Sequence, residues 1–105
     1  MMDDAITGFD WDEGNRAHCR KHGVSGPEIE DLFRRPVLIV PDVAHSHGED
    51  RLRAIGRTRN GRPVFLVFTI RERDGERLIR PVSARYMHPE EIESYEAENP
   101  DLQNR

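Results

Sequence analysis

Residues 51–85 read as three consecutive strands, and that meander limits the folds open to the chain. The runs 51–58, 62–71 and 77–85 alternate apolar with charged residues at the period of a half-buried strand. They are joined by Arg59-Asn60-Gly61 and Arg73-Asp74-Gly75. Both are x-Asn/Asp-Gly, which suits a three-residue loop made of a type I turn and a glycine bulge. A two-residue Asn-Gly turn is the alternative, and it shifts side-chain parity by one. With three-residue loops, one face collects Leu52, Ala54, Gly56, Val64, Leu66, Phe68, Ile70, Leu78, Val82 and Ala84, with Arg80 as its single misfit. The other face carries Arg51, Arg53, Arg57, Arg71, Arg77 and Arg85, mixed with Ile55, Phe65, Val67, Thr69, Ile79 and Ser83. A two-residue first turn puts Arg51, Arg53 and Arg57 on the apolar face at a large desolvation cost. Three-residue loops are therefore expected at both turns.

The same stretch concentrates the positive charge. Ten of fifteen arginines lie between Arg51 and Arg85, with only Glu72, Asp74 and Glu76 against them, while both flanks are acidic and the chain carries −4 overall. A basic sheet face suits a polyanion such as RNA or DNA. It equally suits an acidic protein partner. One domain over 1–105 fits the length. The single cysteine, Cys19, excludes an internal disulfide and points to a reducing compartment. No apolar run is long enough to span a membrane, and the acidic start MMDDAITGFDWDE is unlike a signal peptide. These features predict a cytoplasmic protein with no membrane partner.

Around the meander the signals are mostly helical. Phe9 to Trp11 suggests a short edge strand after a loose start over 1–6. Asp12 can cap a helix to about His22, with Gly23 as its stop. Ser25 and Glu28 form a capping box opening a second helix with Ile29, Leu32 and Phe33 on one face, and Pro36 follows its end. Val37-Leu38-Ile39-Val40 reads as a buried strand and 41–50 as a polar loop. A last helix runs from Met87 to about Glu98, with His88 at the cap, Pro89 first and a Met87–Ile92 staple. The tail 99–105 reads as disordered. The expected fold is α+β: two N-terminal helices, an antiparallel sheet of about four strands and a C-terminal helix. The helices cover the apolar face and leave the arginine face at least partly open.

The short motifs FDWDEGN at 9–15, KHGVS at 21–25, Asp42-x-x-His45-Ser46-x-x-Glu49-x-Arg51, Ile55-Gly56, Gly61-Arg62 and VSAR at 82–85 occur in that order. This arrangement resembles BrnT, the toxin of a type II toxin–antitoxin pair, over residues 9 to about 95. The resemblance implies a RelE-like fold and a small ribonuclease that needs no metal or other cofactor. It also implies a BrnA-like antitoxin as protein partner, with operator DNA contacted only through the toxin–antitoxin complex. By similarity, Lys21, His22, Glu49, Arg71 and Arg85 match the positions associated with activity. The chain departs from the pattern at Gly14-Asn15, where BrnT helices usually carry a lysine, at His18, where an asparagine is common, and in its acidic last helix.

Metal-free RNA cleavage needs a base for the 2′-OH proton, cations for the charge growing on phosphorus and an acid for the leaving 5′-oxygen. Arginine supplies the second role, because its planar fork grips phosphate bidentately. Arg85 is the first choice, and Arg71 shares its predicted face. On hairpin-paired strands they lie at opposite ends, on the order of 20 Å apart at ~3.3 Å per residue, so one of them serves flanking RNA unless the sheet curls strongly. Arg51, Arg53, Arg57 and Arg77 are the expected RNA-binding residues; a solvated surface arginine is the plain alternative for each. Histidine titrates near neutrality, which makes His22 a natural acid or base. Lys21 is the other choice for base. Both can instead serve the negative end of the helix dipole. Glu49 can act as a base, orient an arginine or form an ion pair. His45-x-His47 with Asp42, Glu49 and Asp50 brings metal-ligand types together, but the spacing suits no standard zinc motif.

Overall fold

The structure, a computed structural model, describes residues 6–43 and 50–102. Its elements in chain order are β1 (Ile6–Phe9), α1 (Glu13–Arg20), α2 (Gly26–Leu32), β2 (Leu38–Pro41), β3 (Leu52–Arg57), β4 (Pro63–Arg73), β5 (Glu76–Tyr86) and α3 (Pro89–Glu98). The α+β expectation holds for three helices and a sheet. The sheet has five strands in the order β1-β5-β4-β3-β2, and it is mixed rather than antiparallel because β1 lies parallel to β5. The edge strand starts at Ile6 and ends at Phe9, so Trp11 lies outside it. At the other end of the chain, Pro100–Leu102 forms a 3-10 turn that buries Leu102.

Two of the three helix starts follow the capping signals closely. Asp12 accepts from the Asn15 backbone N–H while Asn15 Oδ1 accepts from that of Asp12. Ser25 and Glu28 form the reciprocal pair at the start of α2. At α3 the His88 backbone N–H donates to Glu91 at 3.1 Å, and Met87 and Ile92 are buried together.

The two hairpins differ. In the first, Thr58 and Arg62 close a three-residue loop, with the Gly61 N–H donating to the Thr58 carbonyl and Gly61 at φ 84°. The second is a two-residue turn: Arg73 pairs with Glu76, and Asp74 and Gly75 take φ 53° and 82°. Both central residues at positive φ make a type I′ turn, matched to strand twist, and Asp is one of the few residues that tolerates this region. The shorter turn inverts the expected parity of the first half of β5. Arg77 faces Glu72 and Ile79 faces Ile70 on the helix-covered side, while Leu78 and Arg80 join the arginine side. A bulge then restores the expected parity. Val67 pairs with Ser83 and Phe68 with Pro81, so Val82 is the extra residue. Arg80 thus leaves the apolar face where it was the misfit, and Arg77 leaves the arginine face.

The main core lies between the sheet and α1 and α2. It contains Cys19, Val24, Ile29, Leu32, Leu66, Phe68 and Ile79, among others. Phe33 makes edge-to-face contacts with Phe9 and Phe68 at 5.7 and 5.4 Å. Tyr86 ties α2 to β5 by donating its hydroxyl to Glu28, with Arg62 stacked 3.5 Å from its ring. α3 does not join these helices. With Ile55, Leu38 and Phe65 it builds a second, small cluster on the arginine side of the sheet, so that face is partly covered. No helix among the described residues is long and apolar enough to cross a membrane.

Candidate nucleic-acid interface

Beyond Ile79, the outer edge of β5 passes from β1 to α1. Asp10 N–H donates to the Ile79 carbonyl, and the next sheet-edge carbonyl used, that of Pro81, accepts from Asn15 Nδ2 at 2.9 Å. α1 is thereby pinned beside β5. Its Cys19 points into the core, where burial pushes the thiol up to about 11, so no reactive thiolate is presented. His18 and His22, four residues apart, line two clefts that open on the arginine side of the sheet.

The first cleft is small, about 130 Å³, and is lined by His22, Phe65, Ser83, Ala84 and Arg85. The Arg85 guanidinium lies 4.7 Å from the Phe65 ring centroid, and Arg53 lies 5.6 Å from the same ring. Glu91 grips Arg85 bidentately at 3.1 and 3.0 Å. That pairing holds the Glu91 carboxyl down to about 2 and raises Arg85 above the ordinary arginine value. Lys21 is exposed at the C-terminal cap of α1 and lines neither cleft.

The second cleft, about 290 Å³, lies towards the other end of β4, between α1 and the strands. His18, Arg51, Thr69, Arg71, Arg80 and Val82 are in its walls. Arg80 is held by Asp12 at 2.8 Å and by Asp10 at 3.4 Å. The Asp12 contact, foremost among its partners, raises Arg80 above the ordinary value, and the Asn15 backbone N–H foremost lowers the Asp12 carboxyl.

The predicted residues thus divide into separate groups. His22 and Arg85 share one cleft, and Arg71 and Arg51 share the other. Arg53 reaches Asp42, which is 2% exposed, at 2.9 Å. Arg57 is committed to the buried Glu96 of α3 through bonds of 2.7 and 3.1 Å. Arg77 sits on the opposite face beside Glu72 at 3.7 Å, because the tight second turn reverses parity there. Glu49, His45 and His47 lie outside the described residues. Three features of these clefts were missed by sequence reasoning. Arg80 was assigned to the wrong face by the turn. His18 was noted only as a departure from the family pattern. Thr69, a lone hydroxyl in an apolar strand, carries no local signal of a site.

Taken together, fold and site define a small α+β protein whose sheet presents guanidinium groups around two clefts, a surface suited to polyanions. Residues 11–91 match the model of the family described as the ribonuclease toxin, BrnT, of a type II toxin-antitoxin system. The chain belongs to this family. No curated protein matches it.

Proposed function

We propose that the chain is a metal-independent endoribonuclease with a RelE-like fold, acting in the cytoplasm and neutralised by a BrnA-like antitoxin. The observation that carries this reading is the shared cleft of His22 and Arg85, with the guanidinium laid over Phe65. A substrate phosphate takes the place of the Glu91 carboxylate on Arg85. The 2′-oxygen of the preceding ribose attacks phosphorus, and its proton passes to His22, the candidate base that lines this cleft. Arg85 stabilises the charge on the equatorial oxygens. The bond from phosphorus to the 5′-oxygen breaks, and that oxygen takes a proton from solvent water as it leaves. The products carry a 2′,3′-cyclic phosphate and a 5′-hydroxyl. Arg71 and Arg51 hold flanking RNA, Arg53 borders the Phe65 site, and Glu49 belongs with the active residues by family resemblance.

The test is the chemistry of the cut ends. Antitoxin-free protein in EDTA is expected to leave cyclic phosphate and 5′-hydroxyl termini, and a 2′-deoxy nucleotide at the cleaved position should abolish the cut. A 5′-phosphate product, or cleavage that survives the 2′-deoxy substitution, contradicts this chemistry.

A second reading has a specific observation behind it. Arg57 and Arg85 are both already gripped bidentately by carboxylates. The face can therefore hold an acidic segment of an antitoxin without cleaving RNA, contributing to autoregulation at operator DNA through the complex. Tight antitoxin binding by a folded protein that cuts neither free nor ribosome-bound RNA distinguishes this reading from the first.

A further inference from the structure

The second cleft is walled by a buried hydroxyl with no hydrogen-bond partner among the described residues and by a guanidinium whose Nη1 has only an ion pair. Thr69 is 2% exposed and lines the cleft, yet its hydroxyl has no hydrogen-bond partner among the described residues. Arg80 is its register partner on β5. The Nη1 atom of Arg80 is likewise buried without a hydrogen bond among the described residues, 3.4 Å from Asp10 Oδ2. Buried polar groups are normally satisfied, and exceptions call for an account. Arg51 and Arg71 add positive charge to the wall, each with interactions of its own, and His18 of α1 adds a ring nitrogen. Hydroxyl, guanidinium and imidazole donors around one opening suit the oxygens of a phosphate. Asp12 holds Arg80 through Nη2, and Asp10 forms an ion pair with Nη1 itself; the two carboxylates set the orientation of the guanidinium.

We infer that this cleft is a second phosphate subsite, formed by Thr69, Arg80, Arg71 and His18, that takes a backbone phosphate of the RNA away from the scissile one. The inference rests on the ribonuclease reading above. Thr69 lies four residues along β4 from Phe65, about 13 Å at ~3.3 Å per residue. A single phosphate cannot reach both clefts. The substrate is therefore an extended single strand running beside α1, past His18 and His22, with its cut at the Arg85 end. Thr69, Arg80 and His18 set where along the strand that cut falls.

The test uses the full chain as wild type, Thr69→Val and His18→Ala, with two probes. Inorganic phosphate is titrated while the Thr69 and Arg80 amides are followed by NMR. Uncleavable 2′-O-methyl oligoribonucleotides of two and eight nucleotides are followed by fluorescence anisotropy. Phosphate is expected to shift both amides in the wild type. Each substitution should weaken the eight-nucleotide ligand by about three- to tenfold, the scale of one lost hydrogen bond, and leave the dinucleotide unchanged. Thr69→Val should melt no lower than wild type, since its hydroxyl has no hydrogen-bond partner among the described residues. Unmoved amides, or eight-nucleotide binding untouched by both substitutions while wild type still cleaves, overturns the subsite alone. Phosphate binding at Thr69 with neither oligonucleotide bound overturns the RNA assignment together with the ribonuclease reading.

Discussion

Asn15 joins three segments through one side chain. Its Oδ1 accepts from the Asp12 N–H at 2.7 Å, and its Nδ2 donates to the carbonyls of Asp10 and Pro81 at 3.0 and 2.9 Å. The residue is buried. A lysine here would have donors but no acceptor. It could not complete the cap. Asn15 is therefore a structural residue in this chain, a hydrogen-bonding amide that joins α1 to β5. Asn15→Ala is expected to destabilise the fold by roughly 2–3 kcal/mol, because it removes a cap partner and strands buried carbonyls. Urea denaturation measures this, and a change within about 0.5 kcal/mol, the ordinary range for a surface position, contradicts the assignment. Single-residue signals of this kind were half legible. Asp12 announced the helix start, but Pro81 is 66 residues from Asn15, and nothing local in either sequence neighbourhood links them.

Among elements, α3 is the least expected in its placement. Its apolar anchorage includes the small cluster of Ile55, Met87 and Ile92 with their neighbours, and ion pairs from Glu91 and Glu96 supplement it. Glu91 Oε1 accepts from both the Arg85 guanidinium and the His88 N–H, so the start of the helix and the candidate phosphate-binding arginine share one carboxylate. Because this carboxyl is lowered from 4.5 to about 2 in the fold, its stabilising contribution is complete above about 4.5 and lost as pH falls towards 2. Denaturation across that window should show a steeper acid loss for wild type than for Glu91→Gln, whose amide does not titrate. At neutral pH the same substitution should raise affinity for RNA by freeing Arg85. Identical acid limbs, or unchanged affinity, would count against this role. The sheet was legible wherever local chemistry decided it. The desolvation cost of Arg51, Arg53 and Arg57 selected the three-residue loop at Asn60-Gly61, and the apolar faces of β3 and β4 followed. Asp74-Gly75 is compatible with two turn lengths, and the choice depends on the Val82 bulge further along β5. That bulge answers to long-range pairing and to Pro81, which has no N–H for a regular ladder. The parallel pairing of β1 with β5 has no local signature either.

At the scale of the whole molecule, the arginine-rich block is divided between structure and site. Arg53, Arg57 and Arg85 each engage a carboxylate of the chain itself. Arg77 faces away, and Arg71 and Arg80 meet around a cleft at the far end of β4. The charge count signalled a polyanion surface, and the ordered motifs indicated the family. Neither could reveal which arginines the acidic flanks would claim, since Arg57 and Glu96 are 39 residues apart. The acidic flanks that make the chain mildly negative overall fold back to brace the basic sheet, and an RNA or antitoxin must compete with them.

In the proposed mechanism Arg85 stabilises the reacting phosphate. The direct measurement is cleavage of a defined, end-labelled RNA in EDTA by wild type and by Arg85→Ala, both purified free of antitoxin and confirmed as folded. The account predicts cleavage by the wild type and a loss of about 100-fold or more in the variant, the scale of removing one preorganised charge-stabilising donor. Equal cleavage by the two proteins would contradict it.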